Sequence, residues 1–397
     1  MTDRVLFYVQ HLLGIGHLKR AAAIAAAMAE AGLEVTVAHG GAPVPEVAYP
    51  GATSFQLPPA GIRGNNFSNL VDADGNDADD AWRARRRGAL IGLAKEFRPD
   101  VVLFELFPFG RRQFRFELLP LIEELRSWTP RPAILSSVRD ILVRPVKQER
   151  EVEAATLIRD AFDEVLVHGD PAFTAFGESF GAAAMIEDQL NYTGYVSSEI
   201  SSALQGTDDG ATGTGEVIVS AGGGAAGLPL MLAALDARPR TKAFSLGWRL
   251  LTGPRLPEAD FRTVQAKADE AAADSGGSVV VERFRADFPR LLRRAALSVS
   301  QGGYNTTIDL LRAGVPAIVV PFGAEEETEQ QDRAERLAER GYLRVLPETE
   351  LAGLRAAIDA AIDDTPRRRA MAPVDFALDG AANTARIIAA HARRRML

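Results

Sequence analysis

Leu297-Ser298-Val299-Ser300-Gln301-Gly302-Gly303-Tyr304-Asn305-Thr306-Thr307-Ile308-Asp309 is the stretch that decides the fold. It reads as a short apolar strand (297–300), a polar turn (301–306) and a helix running to Arg312. A second apolar strand follows at Ala317-Ile318-Val319-Val320-Pro321-Phe322, and an acidic, amide-rich loop from Glu325 to Gln331 then opens another helix. Two consecutive strand ends thus bring hydroxyls, amides and carboxylates to one edge of a parallel sheet. Ligands of open α/β sheets bind at that edge. The groups offered suit a sugar and a ribose better than a metal or a nucleic acid.

Working outward, the rest of the chain repeats the alternation. In the first half, Val5–Val9, Glu34–Ala38, Val101–Phe104, Ala133–Ser136 and Glu164–Val167 read as strands. Helices are predicted at His17–Ala31, Arg83–Phe97 and Phe116–Trp128. In the second half, Val217–Ser220, Thr241–Leu246 and Val279–Val281 read as strands that join the two already named. This is the pattern of doubly wound parallel sheets. Residues 60–80, rich in Gly, Asn and Asp, read as a long surface loop. Residues 197–216, rich in Ser, Gly, Thr and Asp, read as a linker. The expectation is an α/β chain with a first Rossmann-like domain at 1–196, a second at 217–375, and a last helix near 381–395 that packs back on the first.

The bulk numbers narrow the function classes. The 397 residues suffice for two domains, and 47% apolar with 25% charged residues is ordinary globular composition. A net charge of −8 argues against a general nucleic-acid binder. With no cysteine there is no disulfide, thiol chemistry or thiolate zinc site. No apolar run reaches the ~20 residues that span a bilayer. A cytoplasmic protein is expected, with no nucleic-acid partner.

Three motifs carry candidate chemistry. Gly14-Ile15-Gly16-His17-Leu18-Lys19-Arg20 follows the first strand and opens a helix. Glycines at 14 and 16 allow a tight turn, and the positive helix end favours a neutral His17 suited to general-base work. The alternative is a helix-starting turn with a satisfied polar histidine. Gly222-Gly223-Gly224 follows the first strand of the second half and can form an anion cradle of backbone amides. The opening segment supplies Gln301, Gly302, Gly303, Asn305, Thr306 and Asp309, and the loop after the next strand supplies Glu329 and Gln330. Asp309 and Glu329 also read as ordinary helix-start carboxylates. Glu105, at the end of the strand 101–104, is a candidate second base or acceptor-side residue. His11, His39, His168 and His391 read as structural or surface residues. Arg83, Arg85, Arg86 and Arg87 beside Trp82 read as a solvated helix face, the alternative being contact with anionic lipid.

On these residues the chain resembles glycosyltransferases of the two-domain GT-B fold, family 28, which includes the bacterial lipid I N-acetylglucosaminyltransferase. Ser300–Thr306 with Asp309, Gly314-Val315-Pro316-Ala317, and the spaced Gln330, Ala334, Leu337 and Gly341 are similar to that family's donor motif. The resemblance implies two Rossmann-like domains facing across a cleft, a role in cell-envelope polysaccharide or glycolipid synthesis, and a nucleoside diphosphate sugar as donor, UDP-sugar first. It implies that Phe284 meets the base, that Asp309 takes the ribose hydroxyls where the family usually has Glu, and that Thr306 with Gly222–Gly224 reaches the diphosphate. Glu329 and Gln330 would address the donor sugar, and His17 the acceptor. It further implies inverting transfer with no cofactor and no metal, to an acceptor that is lipid-linked, a saccharide or a small molecule, at the inner face of the membrane if the contact is peripheral. The Gly14–Arg20 turn also resembles that of the UDP-sugar hydrolase of pseudaminic acid synthesis. Hydrolysis, or nucleotide-sugar binding without catalysis, is the alternative. A non-hydrolysing epimerase is a weaker third.

Overall fold

A computed structural model describes residues 2–12, 16–45, 47–63, 69–142, 148–197, 210–222, 227–274, 276–285, 287–322, 329–369, 375 and 377–394. It divides into two compact units, one of residues 1–200 with 376–397, the other of residues 201–375.

In the first unit the strands are β1 (Arg4–Val9), β2 (Glu34–His39), β3 (Thr53–Gln56), the short pair β4 (Gly61–Ile62) and β5 (Leu70–Val71), β6 (Val101–Glu105), β7 (Ala133–Arg139), β8 (Glu164–His168) and β9 (Leu190–Tyr192). The helices are α1 (Gly16–Glu30), α2 (Asp80–Phe97), α3 (Arg115–Arg126) and α4 (Glu149–Ala161), with α11 (Gly380–Arg394) returning from the chain's end. Seven strands form one sheet in the order β3-β2-β1-β6-β7-β8-β9, all neighbours parallel. Because both faces carry helices, the strands are apolar throughout: Val5 to Val9 and Val101 to Phe104 are buried without alternation. The chain order reverses between β1 and β6, which pair from Val5↔Val101 to Tyr8↔Phe104. That is the switch point, where two connections leave in opposite directions and a crevice opens at the strand ends. The alanines of α1 let it sit close to both the sheet and α11 (Ala21, Ala25, Ala385 and Ile388 share one core).

The second unit holds β10 (Val217–Ser220), β11 (Trp248–Leu251), β12 (Val279–Glu282), β13 (Leu297–Gln301), β14 (Ala317–Val320) and β15 (Arg344–Val345). Its helices are α5 (Leu228–Ala237), α6 (Glu258–Ala272), α7 (Phe288–Arg294), α8 (Tyr304–Ala313), α9 (Glu329–Glu339) and α10 (Leu354–Arg369). The six parallel strands run β12-β11-β10-β13-β14-β15, so this switch point lies between β10 and β13. Both units are therefore Rossmann-like, as the alternation predicts.

Four readings of the sequence need correction. The strand expected at 241–246 lies at 248–251. Thr241–Leu246 is instead a run of turns, tied by Phe244 N–H to Thr241 O and by the Trp248 indole to Ala243 O. An apolar run cannot reveal that the sheet takes Trp248 rather than Phe244. The stretch 60–80 is not wholly loop, since β4 and β5 pair antiparallel within it. Residues 210–216 of the expected linker turn against the second unit, with Gly215 N–H bonded to Arg294 O; residues 198–209 lie outside the described residues. Finally, Arg86 is not on a solvated face. It is fully buried one helical turn from buried Trp82. Its Nε donates to Glu117 (2.7 Å), and its terminal nitrogens donate to Gly40 O (2.7 Å) and Gln10 (2.6 Å). Arg83, Arg85 and Arg87 remain exposed. Among the described residues no helix is long and apolar enough to cross a membrane.

Candidate active site

The first switch point carries a polar cluster in an otherwise apolar sheet. β1 feeds α1, whose first turn presents His17, and β6 ends on Glu105, which is fully buried. His17 Nδ1 and Glu105 Oε1 lie 2.9 Å apart, with about a fifth of the His17 side chain exposed. Arg20, one turn along the same helix face, also donates to Glu105 Oε1 and stands 3.1 Å from His17 Nδ1. Since Arg20 has the carboxylate as its acceptor, the network assigns the imidazole proton to Nδ1, donated to Glu105. Nε2 is then the free lone pair.

On the other side of Glu105, Ser137 at the end of β7 donates to Oε2 at 2.8 Å. With its one proton committed there, Ser137 Oγ accepts from His168 Nε2 (2.7 Å), and Thr193 Oγ1 donates to His168 Nδ1 (2.9 Å). Every proton in this chain points toward the carboxylate, and such ordered chains reinforce one another. Burial alone would raise the Glu105 pKa, but the Arg20 charge and the His17 hydrogen bond outweigh it and hold the carboxyl well below its usual range. Burial lowers His17 from 6.5 to about 3; the hydrogen bond to Glu105 opposes this, and the charges of Arg111 and Arg20 add to it. His168 is likewise lowered to about 3, by burial first and then by Arg20. The site therefore holds an ionised carboxylate and a neutral, oriented imidazole at ordinary pH. An imidazole of this kind can take a proton from a hydroxyl at Nε2 while Glu105 stabilises the imidazolium that forms.

Sequence reasoning singled out His17 and Glu105 separately, and the fold brings them together. It passed over Ser137, His168, Arg20 and Arg111. The available signal was position: Ser137 and His168 lie near the ends of β7 and β8, and Arg20 lies one turn into α1. Gly16 opens α1; Gly14 lies outside the described residues.

Two polar side chains that act on this site form no hydrogen bond among the described residues. The Arg111 Nε is sealed from solvent and meets no acceptor, and its guanidinium makes no hydrogen bond or ion pair among the described residues. Burial lowers its pKa to about 10 against the pull of Glu105. The Tyr49 hydroxyl is also buried without a partner. Its ionisation is pushed up by burial, with the Glu105 charge adding.

The second switch point is a backbone site. Gly222, after β10, has φ +66°, the left-handed region open to glycine. A Cβ placed there would stand 3.8 Å from Thr306 Oγ1, so this turn adjoins the start of α8. Gly303 caps α8 with no side-chain hydrogen bond of its own. Gln301 ends β13 and is buried; Asn305 and Thr306 lie in the first turn of α8, and Asp309 is buried one turn further on. The Gln330 Oε1 accepts from Phe322 N–H (3.2 Å) and would lie 3.5 Å from a Cβ on Gly302. A Cβ there would also stand 3.0 Å from Val319 Cγ1, so β14 is the neighbour that a side chain at 302 would crowd. Glu329 pairs with Arg333 at 2.8 Å. Phe284 follows β12 on the same edge, half-buried. Gly223, Gly224 and residues 325–328 lie outside the described residues. No three His, Asp or Glu side chains converge as metal ligands among the described residues.

Residues 240–385 match the model of the Glycosyltransferase family 28 C-terminal domain. The UDP-N-acetylglucosamine–N-acetylmuramyl-(pentapeptide) pyrophosphoryl-undecaprenol N-acetylglucosamine transferase of Chromobacterium violaceum is 34% identical over 122 residues, 29% of this chain and 33% of that one. The enzyme of the same name from Alkalilimnicola ehrlichii is 33% identical over 153 residues, 35% of this chain and 43% of that one. The chain thus spans less than half the length of these relatives. Among solved structures, the calicheamicin glycosyltransferase CalG4 superposes with a TM-score of 0.59 at 18% identity, covering 99% of both chains. MurG of Acinetobacter baumannii gives 0.58 at 14% identity, covering 98% of this chain and 100% of its own. The fold is that of GT-B glycosyltransferases.

Proposed function

From a chain whose residues 240–385 match the glycosyltransferase family 28 C-terminal domain, we propose a transferase that moves a sugar from a nucleoside diphosphate sugar, UDP-sugar first, to an acceptor hydroxyl. The observation that carries the reading is the His17–Glu105 pair at the switch point of the first unit. It supplies a base outside the residues that the family model matches.

In this reading the acceptor O–H gives its proton to His17 Nε2 as its oxygen bonds the anomeric carbon. The bond from that carbon to the diphosphate oxygen breaks, and its electron pair leaves with the nucleoside diphosphate. A single displacement of this kind inverts the anomeric centre. Glu105 holds the imidazole in the tautomer that keeps Nε2 free and offsets the charge it gains. The growing charge on the diphosphate is met by the left-handed turn at Gly222 and the N-terminus of α8, whose dipole is fixed before the reaction. Gln330, Glu329 and Asp309 are the proposed readers of donor hydroxyls. The reaction so drawn uses no metal. The relatives' printed names include a UDP-N-acetylglucosamine donor and an undecaprenol-linked acceptor, which puts UDP-N-acetylglucosamine first on the donor panel and membrane extracts first among acceptor sources.

The test is nucleoside diphosphate release from a panel of nucleotide sugars by the purified chain in EDTA, with and without cell extract. Release that needs extract and is lost in His17→Ala supports metal-independent transfer. Equal release without extract makes the protein a hydrolase, and donor binding with no release from any donor makes it a binding protein.

A further inference from the structure

The sheet face that carries Glu105 changes character near the strand ends. Leu103, Leu135 and Leu166 share one core with α1 and α11. Two residues further along the same three strands, and so on the same face, stand Glu105, Ser137 and His168, all fully buried. Strand register pairs Glu105 directly with Ser137. Thr193, just past β9, extends the row; its N–H donates to Val167 O (3.0 Å) and its carbonyl accepts from the Asn383 amide of α11 (2.9 Å). Polar side chains sealed in a sheet cost more than leucines unless each is bonded. Here the bonds run from Thr193 through His168 and Ser137 to Glu105 Oε2. The chain has a second possible direction. Thr193 can donate instead to Gly194 O at 3.0 Å, which would put the His168 proton on Nδ1 and turn the Ser137 proton toward Nε2. That direction strips Oε2 of its donor, because Ser137 is the one donor to Oε2 among the described residues. The carboxylate charge therefore selects the direction that points at it. His17 and Arg20 both meet Oε1, so the Ser137 bond to Oε2 sets the plane of the carboxylate.

We infer that Ser137 and His168 are positioning residues for the base at His17. Ser137 holds the carboxylate plane in which Oε1 faces His17 Nδ1, and His168 holds the Ser137 hydroxyl in the orientation that donates. Both act through Glu105. The effect on rate rests on the transfer reading; the effect on the His17 tautomer does not. A purely structural role would change stability and leave His17 as it is.

Two measurements on the full chain test it. In the first, kcat for extract-dependent nucleotide release is compared across variants. His168→Gln keeps a donor toward Ser137 and an acceptor toward Thr193, and should stay near the wild-type rate. His168→Leu and Ser137→Ala should each lose roughly ten- to a hundredfold in kcat with the donor KM unchanged. The double variant Ser137→Ala/His168→Leu should be no slower than Ser137→Ala, because His168 acts only through Ser137. Ser137→Ala leaves the His168 Nε2–H without an acceptor; if that variant fails to fold, His168→Leu and the double variant carry the test. A folded His168→Leu or double variant with kcat within about threefold of wild type overturns the inference, as do equal losses in His168→Gln and His168→Leu. In the second, ¹⁵N spectra of histidine-labelled protein read the tautomer of His17, the five histidines being assigned by substitution. His17 should be protonated at Nδ1 in wild type and His168→Gln, and should move toward a mixture of both tautomers in His168→Leu and the double variant. Wild-type His17 signals in both of these overturn the inference. Absence of any extract-dependent release defeats the transfer reading, while the His17 signals still decide the positioning.

Discussion

Replacing Glu105 by Gln tests the catalytic reading most directly, because shape and hydrogen bonding survive and only charge is lost. The amide oxygen can face His17 and Arg20 where Oε1 stood, and the amide nitrogen then donates to Ser137 Oγ. Ser137 turns its proton to His168 Nε2, His168 moves its own to Nδ1, and Thr193 donates instead to Gly194 O, which lies 3.0 Å away. Each polar atom of the chain keeps a partner. Two things are not recovered. Arg20, nearly fully buried, loses the charge it faces, and the imidazolium formed at His17 loses its neighbouring carboxylate. Hydrogen bonds to charged groups are worth about 1.5–3 kcal/mol, so the variant should remain folded with a melting temperature several degrees lower. Positioned general bases contribute about 10²–10⁴ in rate, and most of that factor should disappear from kcat. Donor binding should not change. The assay is extract-dependent nucleotide release, with UDP affinity and thermal melting as controls. If His17 and Glu105 act as one unit, the double variant His17→Ala/Glu105→Gln should be no slower than His17→Ala alone. A folded Glu105→Gln protein with kcat within about threefold of wild type would falsify the proposed dyad, as would simple multiplication of the two single effects.

The pH dependence follows from the depressed histidines. With His17 at about 3 against 6.5 for a free imidazole, kcat/KM should show no acid limb between pH 5 and 7, and a limb at 6–7 would place the proton elsewhere. The same shifts stabilise the fold fully above pH 6.5, and that contribution should be lost as pH falls from 6.5 toward 3; in His168→Gln the melting temperature should fall less steeply across this range. Gly303→Ala adds a methyl that meets no protein atom within 4 Å. Stability should hold to within about 0.5 kcal/mol, while UDP affinity measured by calorimetry should drop roughly tenfold if the donor lies there. Arg86→Ala should cost about 3–5 kcal/mol by stranding Glu117, whereas charge reversal at exposed Arg83, Arg85 and Arg87 should leave chemical denaturation unchanged.

What the sequence discloses here is set by the range of the forces involved. Strands such as Val5–Val9 and Leu297–Ser300 are legible because burial on both faces demands unbroken apolar runs, and a switch point follows from their order once each sheet is assembled. The backbone site is legible for a related reason, since glycines at 222 and 302 answer local demands, a left-handed φ and the close approach of Val319. The polar cluster is different. Arg20 looks like one more charge on a helix, His168 like one more strand-end histidine, and Arg86 like a member of a basic run, yet all three are buried. Each is buried because a partner far along the chain arrives at it: Glu105 for Arg20, Ser137 for His168, Glu117 for Arg86. Such pairings have no period and no spacing rule, so only the fold reveals them.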